Sequence, residues 1–397
     1  MSLREQFGTD VLLTGWGHSR FGKLADDTLE SLIVQVATEA IQNSGVDAAQ
    51  IDEIYLGQFN SGLVPLGFPS SLALQADPAL ANVPATRVEN ACASGSAAFQ
   101  QGVKSILAGT ARTVLVIGAE KMTHASPELV GSALLGADYD LAGQHSTSGF
   151  AGLFAVVAAA YEERYGAIGD VLGSIAAKNH RNGVANPYAQ LRKDLGEEFC
   201  QTVSDKNPIV AGTLRRTDCS PVSDGAAAVV LTSAAGQVAR AATDPVRLAG
   251  FGHANDFLPA ARRDPTEFAA TRVSFERALR MAGVGPGDLD FAEVHDCFTI
   301  AELIMYEVIG LTGPGQGRRA IEEGWVYRGG RLPVNISGGL KAKGHPVGAT
   351  GVSQHVVSAM QLTGTAGEMQ LPNPRRAAVQ NMGGVGVANY VSVLEAV

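Results

Sequence analysis

Two glycine-rich turns, far apart in this chain, each receive a strand, hold one reactive side chain and open into a helix. In the first, Val88-Glu89-Asn90-Ala91-Cys92-Ala93-Ser94-Gly95-Ser96-Ala97-Ala98 leads into a helical pattern over Ala97 to Leu107 that Gly109 ends. In the second, Gly338-Gly339-Leu340-Lys341-Ala342-Lys343-Gly344-His345-Pro346-Val347-Gly348 leads into a helix from Gly348 to Leu362. A unit that recurs in this way is a weak internal repeat, which a duplicated fold would explain. At 397 residues the chain is also too long for one ordinary core, so two or three packed units are expected.

Strands alternate with helices on both sides of the chain's midpoint, which indicates an α/β layered architecture. Strands are expected at Val11–Gly15, Ile51–Gly57, Ala85–Asn90 and Thr113–Gly118, with a Thr28-capped helix over Thr28–Asn43 closed by Gly45. The alternation resumes with strands at Ala226–Thr232, Val246–Phe251, Phe291–Val294 and near Leu332–Ile336, and with terminal strands at Ala377–Gln380 and Ala388–Leu394. Helices fall at Pro265–Ala282 and Ile300–Leu311. Between Glu120 and Ser220 the alternation stops and helical stretches appear at 150–165 and 169–180, so this segment reads as an insertion that covers something. The expected division is 1–119 plus 221–243 as one half, 120–220 as the insertion and 244–397 as the other half.

Composition narrows the function classes. A net charge of −9 with no basic tract argues against a nucleic-acid surface. No apolar run reaches membrane-spanning length and Met1–Asp10 is charged, so a cytoplasmic protein is expected. Four widely spaced cysteines, Cys92, Cys200, Cys219 and Cys297, form no Cys-x-x-Cys pair, so neither a disulfide framework nor a zinc site is indicated.

Cysteine chemistry remains. Cys92 at a helix start faces unpaired N–H groups and the positive end of the helix dipole, which favour the thiolate; a buried core cysteine is the competing reading. His345 sits between Gly344 and Pro346, where the backbone itself is shaped around the ring. In Glu293-Val294-His295-Asp296-Cys297-Phe298, His295 and Cys297 are two apart in an extended segment and look the same way. Asn381-Met382-Gly383-Gly384-Val385-Gly386 offers N–H groups that could point at a substrate oxygen.

Taken together, these motifs resemble the thiolase family, and within it the sterol-carrier-protein-x type and its bacterial and archaeal relatives, for which His-Asp-Cys-Phe is distinctive. The resemblance also takes in Lys178-Asn179-His180-Arg181-Asn182, Asn186-Pro187-Tyr188-Ala189 and Asp218-Cys219-Ser220-Pro221-Val222-Ser223-Asp224-Gly225. It implies the thiolase fold: two similar halves in a five-layered α-β-α-β-α core, with a mostly helical loop domain.

The resemblance further implies roles. Cys92 would be the nucleophile that holds the acyl group, and His345 the base that takes its proton. His295 would help hold an enolate oxygen. Cys297 would be the acid/base for the carbon–carbon step, replacing the cysteine that ordinary thiolases carry where this chain has Asn381. The N–H groups of Gly383 and Cys92 would form a second oxyanion hole, with Ser220 contacting the pantetheine arm and Phe298 lining the substrate site. Coenzyme A and acyl-CoA are then substrates, and neither cofactor nor metal is expected. A homodimer or tetramer, and a small partner combining a zinc ribbon with an OB fold, are expected from the resemblance alone. Competing readings are a decarboxylating ketosynthase, an acyltransferase or retro-aldol lyase on a specialised substrate, and a non-catalytic lipid or acyl-CoA binding subunit.

Overall fold

The computed structural model describes residues 3–234 and 244–397. The first stretch runs α1 (Leu3–Phe7), β1 (Val11–His18), α2 (Leu29–Ser44), β2 (Glu53–Gly57), β3 (Ala85–Val88), α3 (Ser94–Ala108) and β4 (Thr113–Glu120). Then come α4 (Pro127–Leu135), α5 (Gly149–Tyr165), α6 (Gly169–Val184), α7 (Glu197–Gln201), the ribbon β5 (Ile209–Ala211) and β6 (Leu214–Arg215), and β7 (Gly225–Ser233). The remainder is β8 (Val246–Asn255), α8 (Ala269–Ala282), β9 (Phe291–Glu293), α9 (Thr299–Ile309), α10 (Arg318–Glu322), α11 (Gly339–Lys343), α12 (Thr350–Leu362), β10 (Arg376–Gly383) and β11 (Ala388–Ala396).

Nine strands form one sheet in the order β3-β2-β4-β7-β1-β8-β11-β10-β9. Its two parts repeat. Outward from β1, the pairings with β7 and β4 are antiparallel and those with β2 and β3 parallel. Outward from β8, the pairings with β11 and β10 are antiparallel and that with β9 parallel. Val334 completes the match by a single parallel bridge to Ala292 of β9. The strand expected near Leu332–Ile336 is therefore only that bridge, because Asn335 at φ +57° turns the chain away at once. The two parts meet through two residue pairs between β1 and β8, Leu12 with Arg247 and Leu13 with Val246. The boundary expected at residue 243 lies outside the described residues.

Strands buried on both faces read as continuous apolar runs. In β4 and β7, Leu115, Ile117, Ala228 and Val230 pack under α2, while Val114, Val116, Val229 and Leu231 face the opposite layer. That layer is α3 and α12 side by side, and on its far side lie Phe291, Val379 and Leu394 of the second part. Beyond these, α8 packs through Phe275 and Ala278 onto Ala378, Val391 and Val393. The layers are thus helix, sheet, paired helices, sheet, helix, as the thiolase fold requires.

The expected capping of α2 holds: Thr28 accepts from Ser31 N–H, and Gly45 closes the helix at φ +68°. The helix expected from Pro265 starts only at Ala269, after Phe268 takes a left-handed conformation. The covering segment is mostly helical, with the β5–β6 ribbon as its only strands among the described residues. No helix among the described residues is long and apolar enough to cross a membrane.

Crossing of α3 and α12 is close because their contact is made of glycine and serine. A Cβ on Gly95 would lie 2.7 Å from the Gly348 carbonyl, and one on Gly351 would lie 2.4 Å from Ser96 N. Helix α12 is buried throughout except at Met360, and several of its polar side chains find partners inside. Ser353 bonds His18 at 2.7 Å and His355 bonds Ser392 at 2.9 Å. This crossing brings the turns before α3 and α12 together.

Candidate active site

Cys92 sits on a tight turn in which Ala93 N and Ser94 N donate back to Asn90 O and Ala91 O, each at 3.0 Å. Ala91 is held at φ +50°, left-handed for a residue with a Cβ, a conformation that costs on the order of 1–3 kcal/mol. The turn thereby aims Cys92 away from β3 and into a cavity of about 440 Å³. Met122, Leu134, Phe150, Phe298 and Val347 line that cavity, together with Cys92, Cys297, His345, Cys219 and Ser220. An apolar pocket with a few convergent polar groups is the usual form of a small-molecule site.

Burial decides the resting state of the thiol. Cys92 is 5% exposed, and desolvation pushes its pKa up to about 12, which outweighs the favourable bond from Gly384 N–H. Glu120, buried at the end of β4, adds a little in the same direction. The expectation that the helix start favours the thiolate is overturned: α3 begins two residues beyond Cys92, and desolvation is the larger effect. Cys92 rests as a thiol and needs a base. The N–H that faces its sulfur belongs to Gly384.

His345 lies beside Cys92, with a ligand nitrogen within 4.8 Å of the Cys92 sulfur. His345 Nδ1 lies 2.6 Å from Thr350 Oγ1, and the Thr350 hydroxyl donates to Pro346 O at 3.0 Å. Since the hydroxyl spends its hydrogen on the carbonyl, it accepts from His345 Nδ1–H, which leaves a lone pair on Nε2. His345 Nε2 is buried without a protein partner. Burial and the nearby Lys343 charge lower the His345 pKa to about 3, so the ring is neutral.

His295 completes the trio. Ligand atoms of Cys92, His295 and His345 all lie within 4.8 Å of one another, and the two imidazoles meet edge to face with centroids 5.0 Å apart. Among the described residues this is the one trio spaced to hold a metal ion as well. His295 is fully buried, with Nδ1 2.9 Å from Asn381 Nδ2 and with Nε2 unpartnered. Cys297 lines the same cavity, and burial, the Cys92 thiol and Asp296 raise its pKa well above the usual thiol value.

The residues between these two turn the other way and hold the frame. Asp296 accepts from Leu340 N at 2.6 Å, Lys341 N at 3.3 Å and Asn179 Nδ2 at 2.8 Å, which ties the His295 segment to α11 and so to His345. Asn179 also donates to Glu302, which pairs with Lys178 at 2.8 Å. Phe298 stacks on Phe154 with centroids 4.5 Å apart, forming one wall, and Ser220 N donates to Cys297 O at 2.9 Å.

Of the expected site residues, Cys92, Cys297, His345, Ser220 and Phe298 line one cavity and His295 comes within 4.8 Å of Cys92 and His345, whereas Gly383 lines a separate pocket with Asn90 and Gly384. Thr350, Asn381, Gly384 and Glu120 were not singled out for these parts. Thr350 had a signal, a hydroxyl in the first turn of the helix after His345. Glu120 had none beyond being an acid at the end of an apolar strand. Its carboxylate accepts from Phe59 N, Asn60 N and Gly348 N, tying loops of both halves together.

Comparison with known proteins agrees with this geometry. The family model "Thiolase, N-terminal domain" matches residues 13–235, and "Thiolase C-terminal domain-like" matches 252–396. The chain is 36% identical over 379 residues to an acetyl-CoA acetyltransferase of Methanothermobacter thermautotrophicus, covering 95% of this chain and 97% of that protein. It is 32% identical to sterol carrier protein 2 of Bos taurus, covering 96% of this chain and 72% of that one. Among solved structures, the Ltp2-ChsH2(DUF35) aldolase superposes with a TM-score of 0.82 at 20% identity, covering 98% of each chain, which speaks to fold alone. With both halves matched in order and a full-length relative above 30% identity, the chain belongs to the thiolase family.

Proposed function

We propose that the chain is a CoA-dependent thiolase that works through an acyl-Cys92 intermediate, either condensing two acyl-CoAs or cleaving a 3-oxoacyl-CoA. One observation carries the assignment of roles: Cys92, His295 and His345 converge within 4.8 Å, in a cavity that also holds Cys297.

In cleavage, His345 Nε2 takes the Cys92 proton as sulfur attacks the 3-oxo carbon. The tetrahedral oxyanion lies near the N–H groups of Cys92 and Gly383. Collapse breaks the bond between C2 and C3, the electron pair passes to the acetyl-CoA enolate held by His295, and Cys297 protonates its carbon. Free CoA then attacks the acyl-Cys92 thioester, giving its thiol proton to the Cys297 thiolate left by the previous step, and departing Cys92 recovers its proton from His345. A thiol suits both attack and departure, and a base with its lone pair aimed at it makes up for a resting pKa near 12. Condensation is the same path reversed, with Cys297 removing the C–H proton. The chemistry uses side chains and backbone only, with no cofactor, and acetyl-CoA is the donor the archaeal relative's name suggests.

Self-association is part of the reading. Strand β3 lies at one edge of the nine-stranded sheet, with Thr86 and Arg87 exposed, where another chain can add a strand. A dimer or tetramer, and a small zinc-ribbon OB-fold partner, are tested by the mass and activity of the purified chain alone. A retro-aldol reading would leave the paired base and nucleophile without work.

Half-reactions test the division of labour. Cys92→Ala abolishes acylation by radiolabelled acetyl-CoA, whereas Cys297→Ala retains it and blocks carbon–carbon bond formation. Equal loss of acylation in both variants would overturn the assignment.

A further inference from the structure

Asn381 is fully buried on β10 and reaches two acceptor positions from one nitrogen: its Nδ2 lies 3.1 Å from the Cys92 carbonyl oxygen and 2.9 Å from His295 Nδ1. Its Oδ1 has no partner. A backbone carbonyl only accepts, so the amide atom that faces Cys92 O carries hydrogen, and the orientation of the amide is fixed. The second hydrogen on the same nitrogen points at His295 Nδ1, which must accept it with a lone pair. In a neutral imidazole the proton is then on Nε2, the nitrogen that is buried and unpartnered, on a ring that has a nitrogen within 4.8 Å of the Cys92 sulfur.

We propose that Asn381 is a positioning residue that sets the tautomer of His295, with the nucleophile's own carbonyl dictating which way the amide faces. His295 and His345 then present opposite faces to the substrate: a donor N–H from one and an acceptor lone pair from the other. Thr350 sets the second and Asn381 the first. An enolate oxygen calls for a donor and a thiol for an acceptor, so the pair is matched to two different tasks. What the donor does rests on the thiolase reading; the tautomer itself does not.

Asn381→Asp is the informative change, since it keeps shape and replaces a donor by an acceptor. His295 Nδ1 must then carry the proton, and Nε2 turns a lone pair toward the enolate. Expected is a carbon–carbon step that slows by ~10²–10³-fold more than Cys92 acylation does, the loss typical of one missing oxyanion donor. Asn381→Ala, which fixes neither tautomer, should fall between. Histidine ¹⁵N spectra of the unmodified protein read the tautomer directly, with His295 assigned by its loss in His295→Gln, and show it protonated at Nε2. They decide the matter even if the variants fold poorly. A parent spectrum with His295 protonated at Nδ1 overturns the proposal, as does an Asn381→Asp enzyme in which both half-reactions fall equally. Failure of the parent to acylate at all would sink the thiolase reading and leave the tautomer result standing.

Discussion

Thr350 Oγ1 lies 2.6 Å from His345 Nδ1 and gives its own hydrogen to the Pro346 carbonyl, in the turn that leads into the helix. A threonine in the first turn of α12 thereby fixes the protonation pattern of the histidine that precedes it. Thr350→Val removes the acceptor and frees His345 to adopt either tautomer. Acylation of Cys92 by acetyl-CoA should slow by roughly 10- to 100-fold, less than the ~10²–10⁴-fold a whole general base contributes, while Thr350→Ser stays near the parent. A rapid-quench burst measures this, and a valine variant with an unchanged burst rate would refute it.

The crossing of α3 and α12 predicts a steep cost for one methyl group. Gly351→Ala would put a Cβ 2.4 Å from both Ser96 N and Asn381 Oδ1, where neither backbone nor a held amide can give. Overpacking of this kind costs about 1–3 kcal/mol or more, so the melting temperature falls and activity falls with it. Gly131→Ala, inside α4 with nothing within 4 Å of the new Cβ, is the control. It should be neutral or raise stability by up to ~1 kcal/mol through helix propensity. Thermal melts of the two variants should differ in sign or by several degrees.

Acid should unfold this protein from an unusually mild pH. Burial lowers His18 and His180 to about 3 and His355 to about 4, each below the ordinary histidine value of 6.5. A group depressed in the folded state contributes its full stability above the unfolded value and loses it as pH falls toward the folded one. The loss therefore begins near pH 6.5, and by pH 5 each such histidine costs on the order of 2 kcal/mol. Urea midpoints measured from pH 7.5 to 5 should fall steadily, and His355→Gln should flatten the slope. A midpoint constant across that window would contradict the argument.

Lys178 and Glu302 form a buried pair at 2.8 Å, with Asn179, Asn335 and Tyr306 also bonded to the carboxylate. Lys178→Met leaves that carboxylate without its cation and should cost about 3–5 kcal/mol. Adding Glu302→Gln should recover a good part of it. Because Asn179 links this network to Asp296, the single variant should also lose activity beyond its loss of folded protein. Denaturant curves for the single and double variants test the recovery.

How much of this was legible in the sequence depends on what carried the signal. Strands such as β4 and β7 are continuous apolar runs, and Thr28 and Gly45 bracket α2, so these elements could be read residue by residue. The Leu332–Ile336 strand was misread because its apolar run matches a strand, while Asn335 in a left-handed conformation ends the pairing at one bridge. Glycine-rich turns marked Cys92, His345 and the 381–386 loop because close approach needs glycine. Invisible was whatever depends on contacts between distant segments: the desolvation of Cys92, the Gly384 N–H on its sulfur, and the bonds from Asn381 to Cys92 and His295 across 289 and 86 residues.

The repeated strand order has one more consequence. Two identical copies of one half, docked face to face, would set like against like: two thiols, or two imidazoles. A thiol would then face no imidazole across the seam, and its base would have to come from elsewhere in the copy. Covalent fusion lets the two turns differ, so the seam between the halves is where the chain stopped being symmetrical.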